Sequence, residues 1–283
     1  MQEKKVVNLL WTGGWDSTFR LLSLINNKQV RICLYYIIDK SRHSLEAELQ
    51  AMDSILAAIY LRFDGAKDRI LSVTHFVSDQ IHADLNITAK YEQLLEISPL
   101  GSQYPLLAMY AQMHGYDDLE MCVASTDSWT SRHLRDVCER VEDPVIGEYR
   151  RIKYDIEDDA PISLFRYFIF PTLHITKVDM LHIAKENGFY DILNMSWFCH
   201  TPYNNKPCGM CKPCKLAITE GMAFRLPLGA RIRNKMPIVF TALLKVRKVG
   251  FIRSIKLIAQ KFTQKLYMAK QDDGIQNTHT KNN

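Results

Sequence analysis

Short apolar runs alternate with segments of helical periodicity along the first half of the chain. The runs KVVNLLW, RICLYYII, ILSVTHFV and LEMCVA carry apolar residues on both faces rather than in strict alternation, which is typical of strands in a buried parallel sheet. Between the runs, the spacing of apolar residues predicts helices over 17–26, 44–60, a region ending near 114, and 131–141. This alternation predicts an α/β fold with a doubly wound parallel sheet.

Composition limits the class of protein. The 283 residues are 47% hydrophobic and 24% charged, which indicates a globular protein with one substantial core. No apolar stretch is long enough to span a bilayer, and the N-terminus lacks the pattern of a secretion signal. We therefore expect a cytoplasmic protein. The segment 142–166, which is rich in charge and contains Pro144 and Pro161, is expected to be irregular.

Basic residues are concentrated near the C-terminus. Between Arg225 and Lys270 there are 12 Lys or Arg and no Asp or Glu, while residues 1–224 carry a net charge of about −6. Apolar residues mixed with this charge predict one or two basic amphipathic helices over 227–270. Three hypotheses stay open for them: packing on the acidic body, attachment to a membrane surface, and contact with RNA. Residues 271–283 are expected to be disordered.

The sequence TGGWDST follows the first predicted strand and precedes the first predicted helix. Adjacent glycines allow backbone N–H groups of such a turn to point inward, and the start of a helix adds partial positive charge. Together with three hydroxyls these groups predict a phosphate cradle, formed by Thr12, Gly13, Gly14, Ser17 and Thr18. The spacing matches neither the Walker A motif nor the dinucleotide fingerprint. A tight turn followed by a helix cap is the alternative interpretation.

Four of the seven cysteines lie close together: Cys199, Cys208, Cys211 and Cys214. Such clustering in a reducing compartment indicates a metal rather than disulfides. The spacing C-x8-C-x2-C-x2-C suits four thiolates around one tetrahedral Zn²⁺, with Gly209 permitting the turn between two of them. Four soft ligands leave no open position, so we expect a structural zinc ion. An iron–sulfur cluster is the competing interpretation, and the spacing does not exclude it.

Two motifs resemble one enzyme superfamily. TGGWDST resembles the S-G-G-x-D-S loop of the ATP pyrophosphatase (PP-loop) superfamily, with Thr12 in the place of the first Ser. The stretch from Ser196 to Phe224 resembles the C-terminal zinc knuckle of 7-cyano-7-deazaguanine synthases, which reads S-W-x-C, a spacer, C-G-x-C-x-x-C and a later Phe. FPTLHITKVDMLHIAKENGF resembles a further stretch of that family and includes Lys177. The similarity covers roughly residues 6–226.

The resemblance implies a Rossmann-like fold of the adenine nucleotide alpha hydrolase type and an ATP-dependent ligase. Such an enzyme adenylates a carboxylate or carbonyl oxygen, releases pyrophosphate and couples the product to ammonia, as in queuosine biosynthesis. By this resemblance the nucleotide-binding residues are Thr12, Gly13, Gly14, Asp16, Ser17 and Thr18. The implied catalytic residues are Asp16, Ser17 and Lys177. Asp16 would orient the loop or Mg²⁺, and Lys177 would face phosphate.

The resemblance is weakest where the acceptor binds in the family. At the places of its Arg-Asn pair and its Tyr-Pro-Asp-Cys-Arg run, this chain has GSQYP at 101–105 and SWTSR at 128–132. The acceptor is therefore not determined, although Gln103 and Arg132 are candidates for contacting its carboxylate or amide. Two other hypotheses stay open. One is a related ligase or amidotransferase acting on a sugar or another carboxylate at a membrane surface, and the other is a non-catalytic adaptor that binds ATP or RNA.

These predictions divide the chain into four parts. A PP-loop nucleotide-binding domain is expected over 1–195, a four-cysteine zinc knuckle over 196–226, a basic helical tail over 227–270 and a disordered terminus over 271–283. The expected cofactors are ATP, Mg²⁺ and Zn²⁺. The expected partners are a small carboxylate substrate and ammonia.

Overall fold

A seven-stranded sheet crosses the protein in this computed structural model, which describes residues 4–236. In chain order its strands are β1 (Lys5–Leu10), β2 (Val30–Ile38), β3 (Ile70–Val77), β4 (Leu119–Glu120), β5 (Cys138–Asp143), β6 (Gly147–Ile152) and β7 (Phe168–Phe170). Their order across the sheet is β3-β2-β1-β4-β7-β6-β5. Neighbouring strands from β3 to β7 in this order pair in parallel. Strand β6 pairs antiparallel with both of its neighbours, β7 and β5. The predicted α/β class is confirmed, whereas the expectation of parallel strands alone is wrong.

Helices connect the strands and follow the last of them. They are α1 (Trp15–Asn26), α2 (Leu45–Arg62), α3 (Ala66–Arg69), α4 (Leu85–Ile97), α5 (Gln103–Met113), α6 (Trp129–Val137), α7 (Lys177–Glu186), α8 (Tyr190–Asn194), α9 (Lys212–Thr219) and α10 (Leu228–Lys235). The helices predicted over 17–26 and 44–60 are confirmed as α1 and α2. The helix predicted over 131–141 ends earlier, at Val137, because β5 begins at the next residue.

Separate apolar cores cover the two faces of the sheet. Leu9 and Trp11 pack into one core with Phe19 of α1, whereas Leu10 packs into the other core with Tyr110 of α5. Because side chains of a strand alternate between faces, both sets of positions must be apolar, which explains the continuous apolar runs. Each fully buried side chain of this kind contributes about 1.5–3 kcal/mol. The cores therefore hold β1 and α1 firmly, and with them the loop that joins the two.

The segment expected to be irregular, 142–166, contains the end of β5 and all of β6. Asp143 organises the turn between them, since its Oδ1 accepts hydrogen bonds from the N–H groups of Val145 and Ile146 at 2.8 and 3.0 Å. Apolar periodicity does not reveal this hairpin. Its strands, CERVED and GEYRRI, are the last two of the sheet on this side, with CERVED at the edge, and they carry charged residues on a solvated face.

The strand order creates a crevice at the carboxyl ends of β1 and β4. From β1 the chain proceeds outward to β2 and β3 and then returns to β4 on the other side of β1. The connections that follow β1 and β4 therefore run in opposite directions. Ligands of open α/β sheets bind at this kind of divergence.

The described chain falls into two compact units. The first extends to Pro227, and the second begins at Leu228 with α10. Most of the predicted basic tail over 227–270, and the whole predicted terminus over 271–283, lie outside the described residues. Within residues 4–236, no helix has both the length and the apolar character needed to cross a membrane.

Candidate functional site

The loop between β1 and α1 is a tight turn stabilised by its own hydroxyl groups. Gly13 has a φ of +65°, and a Cβ at this position would lie 2.8 Å from Cγ of Met52. The Thr12 N–H donates to Ser17 Oγ, and the Gly14 N–H donates to Thr12 Oγ1, both at 3.4 Å. The first N–H groups of α1 lack acceptors within the helix. They are therefore available to an anion at this end of the helix.

This loop forms part of the wall of a cavity of about 850 Å³. Other parts of the wall come from the ends of β2 and β4, from the start of α5 and from the segment that carries the cysteines. The predicted site residues that line the cavity are Thr12, Gly14, Asp16, Ser17 and Lys177. A cavity of this volume is large enough for a small-molecule ligand or cofactor.

Gly13 and Thr18 lie behind the loop rather than in the cavity wall. The Thr18 hydroxyl is buried and accepts a hydrogen bond from Nε1 of Trp11 at 3.1 Å. It thus joins α1 to the end of β1. The contribution of Thr18 to a phosphate site stays a prediction. The carbonyl of Gly13 accepts a hydrogen bond from the N–H of Trp197 at 2.8 Å.

Asp16 presents an unpartnered carboxylate oxygen at the cavity wall. Its Oδ2 accepts a hydrogen bond from the Ala124 N–H at 3.3 Å, whereas Oδ1 is buried and has no hydrogen-bond partner among the described residues. Burial raises the pKa of Asp16, and the positive charge of Lys177 opposes the rise. Leaving a buried acceptor unpaired is unfavourable. The oxygen is therefore suited to a cation or to a donor group of a ligand.

Lys177, the first residue of α7, lines the same cavity. Its Nζ forms an ion pair with Glu220 at 2.8 Å. Burial lowers the pKa of Lys177, but the carboxylates of Asp16 and Glu220 outweigh this effect, so the pKa lies above its ordinary value. The ammonium group therefore stays charged at neutral pH, which suits it to binding phosphate rather than to accepting a proton.

Arg225 adds a second cation to the wall, which neither sequence motif reveals. Its guanidinium carbon lies 4.7 Å from the ring centroids of both Trp15 and Phe198. Burial lowers the pKa of Arg225 to about 10, so the group remains charged at neutral pH. Its Nε is buried and, like Nε1 of Trp15, has no hydrogen-bond partner in the part of the chain that the structure describes.

A buried carboxylate organises the cavity wall beyond the end of β2. Glu48 of α2 accepts hydrogen bonds from Tyr36 Oη and Ser44 Oγ, each at 2.6 Å, and from Nη2 of Arg42 at 2.7 Å. Burial and the charge of Glu48 raise the pKa of Tyr36, which therefore remains a hydroxyl.

The start of α5 lines another part of the cavity with Gly101, Ser102, Gln103 and Tyr104. Of the two residues predicted to contact an acceptor, Gln103 lies in the wall, and Arg132 does not. Cys122, which follows β4, also lines the cavity. Burial, reinforced by the charge of Glu120, raises the pKa of Cys122 well above its ordinary value. This sulfur therefore stays a thiol at neutral pH and is a poor nucleophile.

The four predicted metal ligands come together: Cys199, Cys208, Cys211 and Cys214. Their sulfur atoms all lie within 4.8 Å of one another, with Cys208 and Cys214 at 3.9 Å and Cys199 and Cys211 at 3.8 Å. A tetrahedral ion with Zn–S bonds of about 2.3 Å places its ligands about 3.8 Å apart. The cysteines can therefore hold a metal ion such as zinc.

Backbone groups support negative charge on these sulfurs. The N–H of Cys208 donates to Cys199 Sγ, and the N–H groups of Met210 and Cys211 donate to Cys208 Sγ, each at 3.2 Å. The short distances between sulfur atoms suit a single ion rather than a cluster of several irons with bridging sulfides.

Comparison with protein-family models gives no match, and comparison with curated proteins gives no similar protein. The likeness to PP-loop enzymes therefore rests on the two sequence motifs. The loop, the cavity and the cysteine site supply the geometry from which a function is inferred.

Proposed function

We propose that the protein is an ATP-dependent ligase of the PP-loop type, with a Rossmann-like fold, whose loop over residues 12–18 binds the pyrophosphate end of ATP. The enzyme adenylates a carboxylate or carbonyl oxygen of a small substrate and releases pyrophosphate. Ammonia then attacks the activated carbon and AMP leaves, a reaction of the kind that 7-cyano-7-deazaguanine synthases carry out. The observation that carries the proposal is the unpartnered Oδ1 of Asp16, set in a glycine-containing loop at a helix N-terminus and in the wall of a large cavity.

The loop supplies phosphate contacts through its backbone and two hydroxyls. The free N–H groups at the start of α1 and the hydroxyls of Thr12 and Ser17 are the donors. A Cβ at Gly14 would lie 3.1 Å from Oγ1 of Thr12. Glycine at this position therefore leaves room for the Thr12 hydroxyl beside the Gly14 backbone. Gly13 provides the left-handed backbone conformation that the turn between β1 and α1 requires. Catalysis of this type depends mainly on positioning and electrostatic stabilisation, so it needs no strong general base.

Asp16 and Lys177 have complementary roles in this proposal. Asp16 Oδ1 is an oxygen ligand suited to Mg²⁺. When bound, Mg²⁺ neutralises charge that develops on pyrophosphate as it leaves. Lys177, held by Glu220, offers a further positive charge to the same phosphates. Both residues orient and stabilise charge, and neither has to transfer a proton.

The aromatic side chains of the cavity wall favour a planar ring as ligand. Aromatic side chains line the cavity at Tyr35, Tyr36, Tyr104, Trp197 and Phe198. Such surfaces can stack on adenine or on a heterocyclic carboxylate. Gln103 provides an amide that can both donate and accept hydrogen bonds at this wall. A deazaguanine-type acceptor is therefore proposed ahead of a sugar.

We assign zinc to the four cysteines in a structural role. Four thiolates complete a tetrahedral coordination sphere and leave no position for substrate. The metal thus stabilises the segment that forms one side of the cavity, and ATP chemistry takes place beside it.

Pyrophosphate release from ATP tests the proposed function. Purified protein is incubated with ATP, Mg²⁺, ammonia and a panel of carboxylates that includes 7-carboxy-7-deazaguanine, and the products are identified by mass spectrometry. We expect release that depends on the acceptor, is abolished by Asp16→Ala, and falls about 100-fold with Ser17→Ala. Ser23→Ala is the matched control, because Ser23 lies on the same helix outside the cavity wall and its hydroxyl donates to the Phe19 carbonyl.

Each other outcome has a defined meaning. Absence of release with every acceptor, or release that is unchanged in Asp16→Ala, overturns the ligase proposal. If ATP still binds under those conditions, a non-catalytic adaptor is favoured. Release with another carboxylate but not with the deazaguanine retains the ligase and replaces its acceptor.

A further inference from the structure

The segment that carries the cysteines contacts the loop directly through Trp197. The N–H of Trp197 donates to the carbonyl of Gly13 at 2.8 Å, and the Trp197 carbonyl lies 3.8 Å from the position that a Cβ on Gly14 would occupy. Both glycines belong to the turn that presents the loop to the cavity. The backbone of one residue in the cysteine segment therefore holds the back of this turn.

The same residue is attached to the first metal ligand. Nε1 of Trp197 donates to the carbonyl of Cys199 at 2.7 Å. Cys199 is completely buried, and its sulfur lies 3.8 Å from that of Cys211. Two hydrogen bonds thus connect the backbone of a metal ligand, through one tryptophan, to the loop.

A second contact comes from the opposite end of the segment. Arg225 lies over the ring of Trp15, the first residue of α1, and over the ring of Phe198. Its Nη2 donates to the carbonyl of Ser196 and to its Oγ, the latter at 2.9 Å. Arg225 follows α9, which begins directly after Cys211 and contains Cys214. Both ends of the metal-binding segment therefore meet the start of α1.

We propose that a metal ion bound to the four cysteines sets the anion affinity of the loop, and that Trp197 and Arg225 transmit its effect as positioning residues. This inference rests on the proposed function in one respect, namely that the loop binds phosphate. With the metal bound, the thiolates hold Trp197 and Arg225 in place, and the loop is ordered before its ligand arrives. Without the metal, the ligand must order the loop itself, which weakens binding.

The contact of Arg225 with Trp15 also places a positive charge in the wall of the cavity that the loop borders. The guanidinium group lines the same cavity as Ser17 and Thr12. Loss of the metal would therefore weaken both the hydrogen bond from Trp197 to Gly13 and the contact of Arg225 with Trp15. A metal that stabilised only its own segment would leave the affinity of the loop unchanged.

Hydrogen–deuterium exchange tests the coupling without any nucleotide. The full-length protein is compared in its zinc-loaded and chelator-treated forms. The amide hydrogens to follow are those of Thr12 and Thr18 in the loop and of Trp197, which donates to Gly13. We expect exchange at these amides to become about tenfold faster without zinc, while a peptide covering β2 keeps its protection. Equal exchange in the two forms overturns the coupling.

Pyrophosphate binding, measured by isothermal titration calorimetry with Mg²⁺ present, provides the second readout. We expect binding about tenfold weaker without zinc. A similar loss is expected in zinc-loaded Arg225→Gln, with Arg225→Lys intermediate because lysine keeps the charge but not the planar group. The matched control is Lys215→Gln, an exposed residue of α9 that should bind pyrophosphate like the unaltered protein.

The outcomes separate this coupling from the proposed function. If zinc removal speeds exchange but neither form binds pyrophosphate, the coupling stands and the ligase proposal fails. If both forms bind equally, the coupling fails and phosphate binding stands. If chelation also removes protection from β2, the zinc-loaded Arg225→Gln protein decides, because unchanged affinity in that variant overturns the proposal.

Discussion

Arg20 and Glu120 form a bidentate ion pair, with Nε to Oε2 at 2.7 Å and Nη2 to Oε1 at 2.5 Å. Both residues are buried and lie 100 positions apart in the sequence. Arg20 also donates through Nη1 to the carbonyl of Ile146 at 3.1 Å. The pair therefore joins α1, whose first turn forms part of the candidate site, to β4 and to the edge hairpin.

Removal of one partner should be strongly destabilising. In Glu120→Ala the guanidinium of Arg20 stays buried without its counter-charge, so we expect the free energy of unfolding to fall by about 3–5 kcal/mol. Urea denaturation followed by circular dichroism measures this loss. Glu142→Ala is the control, since Glu142 and its partner Arg140 are 61% and 58% exposed and should contribute less than about 1 kcal/mol. Equal losses in the two variants would contradict the structural role of the buried pair.

Features that depend on local spacing could be predicted from the sequence. The glycines of the loop must follow a strand and precede a helix, and the cysteines lie close enough along the chain to meet whatever the rest of the fold does. Four of the six predicted nucleotide-binding residues consequently line the cavity, while Gly13 and Thr18 do not. The position of Thr18 has a local cause, because its hydroxyl accepts a hydrogen bond from Nε1 of Trp11.

Contacts between distant segments could not be predicted in the same way. Glu120 interrupts the apolar run LEMCVA and so indicates a buried ion pair, but nothing in the sequence names Arg20 as its partner. Glu220 and Arg225 likewise reach the site only through the path that the chain takes after α7. The edge hairpin is hidden for another reason, since one of its faces is solvated and charged.

The cysteine site predicts one zinc ion per chain. Inductively coupled plasma mass spectrometry of purified protein should find about one zinc per chain, and in Cys214→Ser much less than one. Because metal binding contributes to folding free energy, we expect this variant to unfold about 4 kcal/mol more easily. Cys33→Ser is the control, since Cys33 lies on β2 outside the cluster. Iron in place of zinc, or full metal content in Cys214→Ser, would refute the assignment.

Asp143 should make stability dependent on pH in the acid range. Burial raises its pKa, but hydrogen bonds from the Lys5 ammonium group and from two backbone N–H groups outweigh this effect and lower the pKa to about 2. A folded pKa below the ordinary 3.8 stabilises the folded state above that value, and the contribution disappears as pH falls from about 4 to about 2.

Asp143→Asn should therefore lower the free energy of unfolding by about 1 kcal/mol at pH 7 and by less at pH 2. Urea denaturation at several pH values between these limits measures the difference. The control is Asp53→Asn, which removes an exposed carboxylate of α2. A loss that is the same at pH 7 and pH 2 would show that the charge of Asp143 is not its cause.

Asp16→Asn should stabilise the ligand-free protein and impair its proposed activity. Burial raises the pKa of Asp16 despite the nearby Lys177, so the folded state binds this proton more tightly than the unfolded state does. Stability is thus lost as pH rises from the ordinary range of an aspartate through the raised pKa, and at pH 7 the buried charge is unfavourable. Replacing it with a neutral amide of similar shape should increase the free energy of unfolding by about 1 kcal/mol, measured by urea denaturation without nucleotide.

The same change removes the anionic oxygen proposed for Mg²⁺, so pyrophosphate release should fall at least about 100-fold. Ser17→Ala is the informative comparison, because it should reduce release without the gain in stability. An Asp16→Asn protein that is less stable than the unaltered chain would show that Oδ1 has a structural partner, and an active one would exclude Asp16 from the site.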